Sequence, residues 1–573
     1  MSSRLSPAGS QYEFSVEQLE HRRLLAQTIA IDLNTPLQTI RAIGANVAKN
    51  ARNPSLTAPV RDHVSNYLLS NFPIAMMRVA INLKTWEPVN DNADPYVVRA
   101  AGFPDTGGMN QNFRMIQEYT NKGVQVIAGI FDLPDWMVSN PESYNKRELK
   151  PGYETELAEG ITHWLKYLKQ QYGVTIDTIS INEGNGGYNA RFNQAIFTSF
   201  IKIAGPYMQQ QGLGYVKWLT GDDGVNTLNA HAKPLLENPE IRQYLGPVAY
   251  HSWSYRFISD SQLSQWYVQA QRYGKELWVT EFGTDAEKLN LHTFSTWERA
   301  HETALAYYRA LVVTRANAVL WWDFTNAWSP VTPALLPNPS YYIVKPFHDN
   351  IGPGSINLKV TPNDDSAIKT LAVKDVARNR FFMQLYNDQS PGTNSQTVNL
   401  TGLPNTPMTV VSNRANELGK VVGTFLPVGG KLTITSPANS AVYVTGKLAN
   451  TGPGAAPVAM ISSPAATFQY TAGGMISFSG DATDADEVLS ASRFNWTITP
   501  VRDGIFGTPL VVSGAKSGTF AVPTGFQRAV DQKYVITLTV TDSSGLTAQN
   551  RSNSARRSST SPSRQTFPAR CPG

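Results

Sequence analysis

Two glutamates carry the chemistry this sequence offers most directly. Glu183 closes the run TIDTISINE (175–183), and Glu281 lies near the end of ELWVTEFG (276–283). Both runs are rich in the β-branched and aromatic residues of a strand, so each carboxylate falls near a strand terminus. Two carboxylates at one end of a sheet can flank a single acetal oxygen, one handing it a proton while the other attacks the anomeric carbon. A separation of about 5–5.5 Å leads through a covalent intermediate to retention; about 6.5–9.5 Å leaves room for a water and leads to inversion. A single glutamate at a strand end is more often a loop salt bridge, so the argument rests on the pair.

The elements that must position them alternate. Short apolar runs at 39–46, 74–81, 124–131, 175–183, 217–223, 247–254, 276–283 and 316–324 read as strands. Amphipathic stretches at about 58–71, 109–122, 153–172, 191–210, 227–244, 260–273 and 294–314 read as helices, with Leu157, Ile161, Trp164, Leu165 and Leu168 at helical spacing in one of them. Eight strands alternating with helices predict a closed (β/α)8 TIM barrel, whose sites form at the C-terminal strand ends. A doubly wound sheet shares the alternation, but its Gly-rich phosphate turn is missing after the first strand.

The barrel accounts for 39–335, preceded by a strand at 27–38 expected to join a β-sandwich. That sandwich, 336–446, is read from short alternating runs separated by Pro, Gly, Asn and Asp. A Gly/Pro/Ala linker at 447–458 leads to an all-β module at 459–550, and a Ser/Arg-rich tail at 551–573 is expected to be disordered. Residues 1–26 are expected to be a mostly disordered export or targeting segment.

With 573 residues, 41% apolar content and a net charge of +5, the chain is a multidomain globular protein without a nucleic-acid footprint. Its one cysteine, Cys571, excludes an intramolecular disulfide and a thiolate metal cluster. No run approaches the length of a membrane span.

Beyond these readings, Ser180-Ile181-Asn182-Glu183 and Trp278-Val279-Thr280-Glu281-Phe282-Gly283 resemble the acid/base and nucleophile motifs of the clan A glycoside hydrolases, most of all family 30. Ile29-Ala30-Ile31-Asp32, Leu37-Gln38-Thr39-Ile40, Met77-Arg78-Val79, Asp135-Trp136-Met137 and a sandwich opening at Tyr341-Tyr342-Ile343-Val344-Lys345 extend the likeness over 27–446. The resemblance implies a retaining glycosidase with Glu183 as acid/base and Glu281 as nucleophile. Asn182 would hold the sugar 2-hydroxyl and Arg78 would keep the Glu281 pKa low, while the surroundings of Glu183 would raise its own.

Two departures stand out. Gly184-Asn185-Gly186-Gly187-Tyr188 replaces a segment that often begins with Pro, and His251-Ser252-Trp253 places Trp where relatives present Tyr to the nucleophile, with Tyr255 the nearest substitute.

Flat rings suit pyranose faces, which nominates Trp136, Trp253, Trp322 and Trp328; Asp132, Asp222, Asp223 and Asp323 are nominated for hydroxyls. His251 is read either as a site residue or as a core histidine, and Trp321 should point away from Trp322 by strand alternation. Asp481, Asp484, Asp486 and Glu487 crowd one turn that could offer oxygens to Ca²⁺, though solvated acids are the plainer reading. Trp496, inside the sequon Asn495-Trp496-Thr497, reads as a core aromatic.

No metal or organic cofactor is expected, and the expected partner is a poly- or oligosaccharide. A catalytically silent glycan-binding barrel and a transglycosylase are the rival readings. VEQLEHRRLLA (16–26) resembles a motif near the N-terminus of exported bacterial proteins. The last module resembles immunoglobulin-like domains appended to extracellular enzymes. Together they imply an extracellular or cell-surface location, with attachment to the surface or to polysaccharide through that module.

Overall fold

The computed structural model describes residues 26–556 apart from 48–57, 106–107, 144–146, 186–189, 254–256, 284–295, 325–328, 363–366, 394, 449–455, 466–467, 485–487, 503–504, 525–531 and 543–544. Eight strands close a parallel barrel. In chain order they are Ala42–Asn46, Met76–Asn82, Gln125–Asp132, Thr178–Ile181, Lys217–Gly224, Leu245–His251, Leu277–Phe282 and Ala318–Trp321. The eighth returns to the first through Val319 opposite Ile43 and Leu320 opposite Gly44. Side chains on alternate positions fill the interior, among them Ile127, Leu219, Trp278 and Leu320. Gly44 sits where a Cβ would lie 2.2 Å from the Met76 carbonyl oxygen, so only glycine lets these strands approach there.

The expected helices occur, with one exception. The stretch 227–244 is not one helix but a 3-10 turn at Val225–Thr227, a π turn at Leu228–Ala232, an α turn at Lys233–Glu237 and a further 3-10 turn at Arg242–Tyr244. Pro234 and Pro239 explain the break, since neither can donate a backbone hydrogen bond and each restricts the residue before it.

Residues 341–345, expected to open the sandwich, instead begin the helix Tyr341–Asn350. The run YYIV has strand composition, but Ile343, Val344 and Phe347 are the residues that helical spacing buries.

The attached β-sandwich is built from one nine-stranded sheet. Its order is Glu417–Phe425, Met408–Arg414, Ser440–Lys447, Arg380–Asn387, Ile368–Asp375, Ser355–Thr361, Gln27–Ile40, Gln396–Thr401 and Leu432–Ser436. The N-terminal strand Gln27–Ile40 lies inside this sheet, antiparallel to one neighbour and parallel to the other, before the chain enters the barrel. Strand alternation ties the two parts together: Phe381, Met383 and Leu385 enter the sandwich core, whereas Phe382 and Tyr386 belong to the barrel core, with Phe382 5.0 Å from Phe347. Glu417–Phe425 was not anticipated as a strand. It is a largely exposed edge with two glycines, so no buried face marks it in the sequence.

A second compact unit comprises the C-terminal residues after Leu448 together with Val376–Asn379. Its two sheets share a core in which Trp496 is fully buried and Phe478 lies 4.8 Å away. The strand Thr547–Arg556 pairs along Gln532–Thr541, which corrects the expectation of disorder from residue 551. Its side chains are polar, but a ladder is held by backbone groups, and Ser552 is buried with its hydroxyl donating to the Pro464 carbonyl. Asp481 pairs with Lys516 at 2.7 Å, while Asp486 and Glu487 lie outside the described residues. Among the described residues no helix is long and apolar enough to cross a membrane.

Candidate active site

The C-terminal strand ends converge on Arg78, which projects from the second strand and is fully buried. Its Nη1 donates to Glu281 Oε1 at 2.9 Å and to Asn46 Oδ1 at 3.2 Å; its Nη2 donates to Asn182 Oδ1 at 2.6 Å and to Asp222 Oδ2 at 2.7 Å. The guanidinium also lies 5.0 Å from the Phe131 ring centroid. One cation thus connects the first, second, fourth, fifth and seventh strands. A planar fork of donors suits this task better than a lysine would.

Both glutamates reach His251 at the end of the sixth strand. Nδ1 is 3.0 Å from Glu183 Oε1 and 3.5 Å from Glu281 Oε2, and Nε2 is 3.3 Å from Asp222 Oδ1. Trp253 Nε1 donates to Glu281 Oε2 at 3.1 Å, so the indole at the position noted in the sequence does contact this carboxylate. Both Glu281 oxygens therefore accept from groups that can only donate. Gly283 makes room for this arrangement, because a Cβ there would lie 2.6 Å from the Trp253 ring.

Local backbone geometry aims the carboxylates. Glu183 and Asp222 have φ of 47° and 55°, in the left-handed region that costs a residue with a Cβ about 1–3 kcal/mol. The Glu183 amide donates to the Asp222 carbonyl at 3.0 Å and locks the two strand ends together. The ladder between the sixth and seventh strands is irregular between Val279 and Glu281. That shift lets Thr280 donate to Asp222 Oδ1 at 2.5 Å while the adjacent Glu281 also points inward.

Electrostatics follow from three carboxylates facing two cations. Burial raises the Glu281 carboxyl above its ordinary range, and the His251 and Arg78 charges only partly oppose it. The expectation that Arg78 keeps Glu281 low is corrected in this sense: the pull is present, and desolvation outweighs it. Asp222 is also desolvated, yet Arg78 and His251 hold it well below the usual carboxylate range. For His251 burial disfavours the cation, but Glu281, Asp222 and Glu183 reverse this and push the imidazole up to about 10.

A histidine that binds its proton more tightly when folded stabilises the protein fully below its unfolded value near 6.5, and loses that contribution as pH climbs toward 10. His251→Gln should therefore flatten the decline of Tm across this window in a thermal melt series. A decline as steep as that of the parent would show that the folded histidine is neutral.

Glu183, His251 and Glu281 also present three ligand-type atoms within 4.8 Å of one another. The Arg78 guanidinium, 2.9 Å from Glu281, already supplies a positive charge beside these atoms.

Of the residues nominated from sequence, Glu183, Glu281, Asn182, Arg78, His251 and Trp253 come together. Arg78 and His251 are fully buried and act on the carboxylates from beneath, with no surface for a sugar. The Asp222 carboxylate is taken up by Arg78, His251 and Thr280, while Asp223 and Asp323 are buried as Glu281 and Asn182 are. Trp322 packs at 5% exposure, 6.1 Å from Phe131 and 6.5 Å from Trp253. Trp321 faces outward, 6.0 Å from Phe282.

At the rim, Trp136 is half-buried with Nε1 donating to the Glu87 carbonyl, and Asp132 lies 3.4 Å from Arg147. Tyr255 and Trp328 lie outside the described residues. Asn46, Phe131 and Thr280 were not anticipated. The only trace they leave in the sequence is their place at or near a barrel strand end.

No protein-family model matches the sequence, and no curated protein matches it. Solved structures do match in fold. A GH30 endoxylanase from Clostridium papyrosolvens C71 superposes with a TM-score of 0.57 at 18% identity, covering 74% of this chain and all of the other. A conserved exported protein from Bacteroides fragilis gives 0.55 at 13% identity over 73% of this chain and 100% of its own. The endo-beta1,6-glucanase BT3312 gives 0.52 at 16% identity over 73% and 94%. The chain thus shares the fold of family 30 glycoside hydrolases, a TIM barrel with an attached β-sandwich.

Proposed function

We propose that this protein is a retaining glycoside hydrolase that cleaves an O-glycosidic bond in a β-linked glycan. The observation that carries the reading is the meeting of Glu183 and Glu281 from the fourth and seventh strands, with carboxyl oxygens within 4.8 Å of each other. That spacing suits direct attack by a carboxylate and leaves little room for an intervening water. Likeness in fold to a xylanase and a beta-glucanase supports the choice of a β-linked substrate.

In the first step a Glu281 oxygen bonds to the anomeric carbon as the glycosidic C–O bond breaks, and the departing oxygen takes the proton of Glu183. In the second, Glu183 as carboxylate removes a proton from water, the water oxygen bonds to the anomeric carbon, and the Glu281 ester bond breaks. Configuration is inverted twice and so retained.

Arg78 and Trp253 hold the attacking carboxylate in one orientation, which is the positional contribution to rate. With Asn182 Oδ1 taken by Arg78, its amide nitrogen is the end that meets the sugar 2-hydroxyl. Trp253 and Trp136 offer ring faces to the sugar. The enzyme acts outside the cell on poly- or oligosaccharide, as the N-terminal motif and the likeness to an exported protein suggest.

A panel of β-linked polysaccharides and aryl β-glycosides, followed by proton NMR of the first product anomer, tests this. The expected outcome is hydrolysis with the β-anomer released first. Glu183→Ala should slow substrates with poor leaving groups by about 10²–10⁴-fold while sparing activated aryl glycosides. Release of the α-anomer would overturn the mechanism, and an inert protein across the panel would favour a glycan-binding role.

A further inference from the structure

Away from the catalytic carboxylates, a second acidic group is buried without a cation. Glu87 follows the short helix Leu83–Trp86 after the second barrel strand, Asp91 lies four residues on, and Glu159 projects from the helix Glu154–Tyr172. Ligand oxygens of all three lie within 4.8 Å of one another. Glu87 and Glu159 are 0% and 1% exposed, and all four of their carboxyl oxygens lack a hydrogen-bond partner. Among the described residues no lysine, arginine or histidine side chain forms an ion pair with any of the three, and Asp91 accepts from the Arg99 amide at 2.5 Å and from Asn92 Nδ2 at 2.9 Å.

The fold makes space for this. Gly160 sits inside the helix, where glycine costs about 1 kcal/mol relative to alanine. A Cβ at that position would lie 2.7 Å from Glu87 Oε2, so the helix is notched to admit the carboxylate. A buried ionised carboxylate without a partner is far too costly to persist. Two remedies exist: the acids are protonated, or a cation lies between them.

Without a cation, burial first and the neighbouring carboxylates second push Glu87 up to about 9 and Glu159 up to about 8. Glu156 on the same helix adds a further carboxyl beside Glu159. The oxygens of Glu87, Asp91 and Glu159 are gathered at a spacing that suits ligands around an ion. The donor set is all oxygen and anionic. Ca²⁺ accepts six to eight such ligands in flexible geometry at about 2.3–2.6 Å, whereas Mg²⁺ demands a strict octahedron.

We infer that Glu87, Asp91 and Glu159 form a Ca²⁺ site that fastens the loop after the second barrel strand to the helix Glu154–Tyr172. Water completes the coordination. Because Trp136 Nε1 donates to the Glu87 carbonyl at 3.0 Å, the ion also steadies the cleft rim on which that indole stands.

The full-length protein, stripped with chelator and returned to metal-free buffer near neutral pH, is titrated with CaCl₂ by calorimetry and melted with and without the ion. Binding at this site and a Tm increase of several degrees are expected in the parent. Glu87→Gln and Asp91→Asn should each lose this binding event and the Tm response. Asp91, only half-buried, supplies the readout should Glu87→Gln fail to fold.

A parent that binds no Ca²⁺ and melts at the same temperature either way overturns the site in favour of neutral acids. Undiminished binding in both variants also overturns it, by placing the ion elsewhere, such as the turn at Asp481 and Asp484. Neither readout requires glycan cleavage, so the site stands or falls independently of the proposed activity.

Discussion

Glu281→Ala should reduce kcat by roughly 10⁵- to 10⁶-fold, the scale seen when a covalent nucleophile is removed from a preorganised site. The variant should remain folded, because it removes a buried carboxylate and leaves Arg78 still paired with Asp222. Exogenous azide should enter the vacated space and restore turnover of an activated aryl β-glycoside, with an α-glycosyl azide as product. This outcome separates a nucleophile from a residue that only orients substrate, since an orienting role gives no inverted azide adduct. Retention of more than a few per cent of parental activity without azide would refute the assignment.

The second large effect is on stability. Arg78→Met removes the cation bonded directly to both Glu281 and Asp222, and leaves only His251 to offset the two buried carboxylates. Breaking a buried pair in this way costs about 3–5 kcal/mol. The expected result is a lower midpoint of denaturant unfolding at an unchanged slope.

The loss should depend on pH in a defined direction. In the parent, Asp222 is held below its ordinary value, so its contribution is present above that value and lost as pH falls through the folded one. The gap between parent and variant should therefore be widest near neutrality and shrink in acid. Adding Asp222→Asn to the variant should recover part of the stability, because the two positions are directly bonded and not additive. A pH-independent gap would mean that packing of the arginine stem, not its charge, is what matters.

The barrel was legible because it repeats. Each interior strand is a short β-branched run and most covering helices show spacing of three and four, so eight strands could be counted with boundaries wrong by only a few residues. Local chemistry failed where composition contradicted position. YYIV at 341–344 has strand composition but forms a helix, and prolines at 234 and 239 break a pattern that periodicity alone would continue. The edge strand Glu417–Phe425 has no buried face and so no alternation to read.

At the site, the identities of Glu183, Glu281, Asn182 and Arg78, the first three near strand ends and Arg78 within the second strand, were determined by the sequence alone. A strand of known register states which residues end it and which face they share. Whether a carboxylate at such an end looks into the cleft or into the floor was decided only by tertiary structure. Asp222 and Glu183 have the same left-handed backbone, yet one is buried between Arg78 and His251 and the other keeps 21% of its side chain exposed. The same holds for the notch at Gly160, which admits a carboxylate from 73 positions earlier in the chain. The physical reason is common to both: burial, charge pairing and pKa are properties of what surrounds a group, and those neighbours arrive from strands and helices remote in sequence.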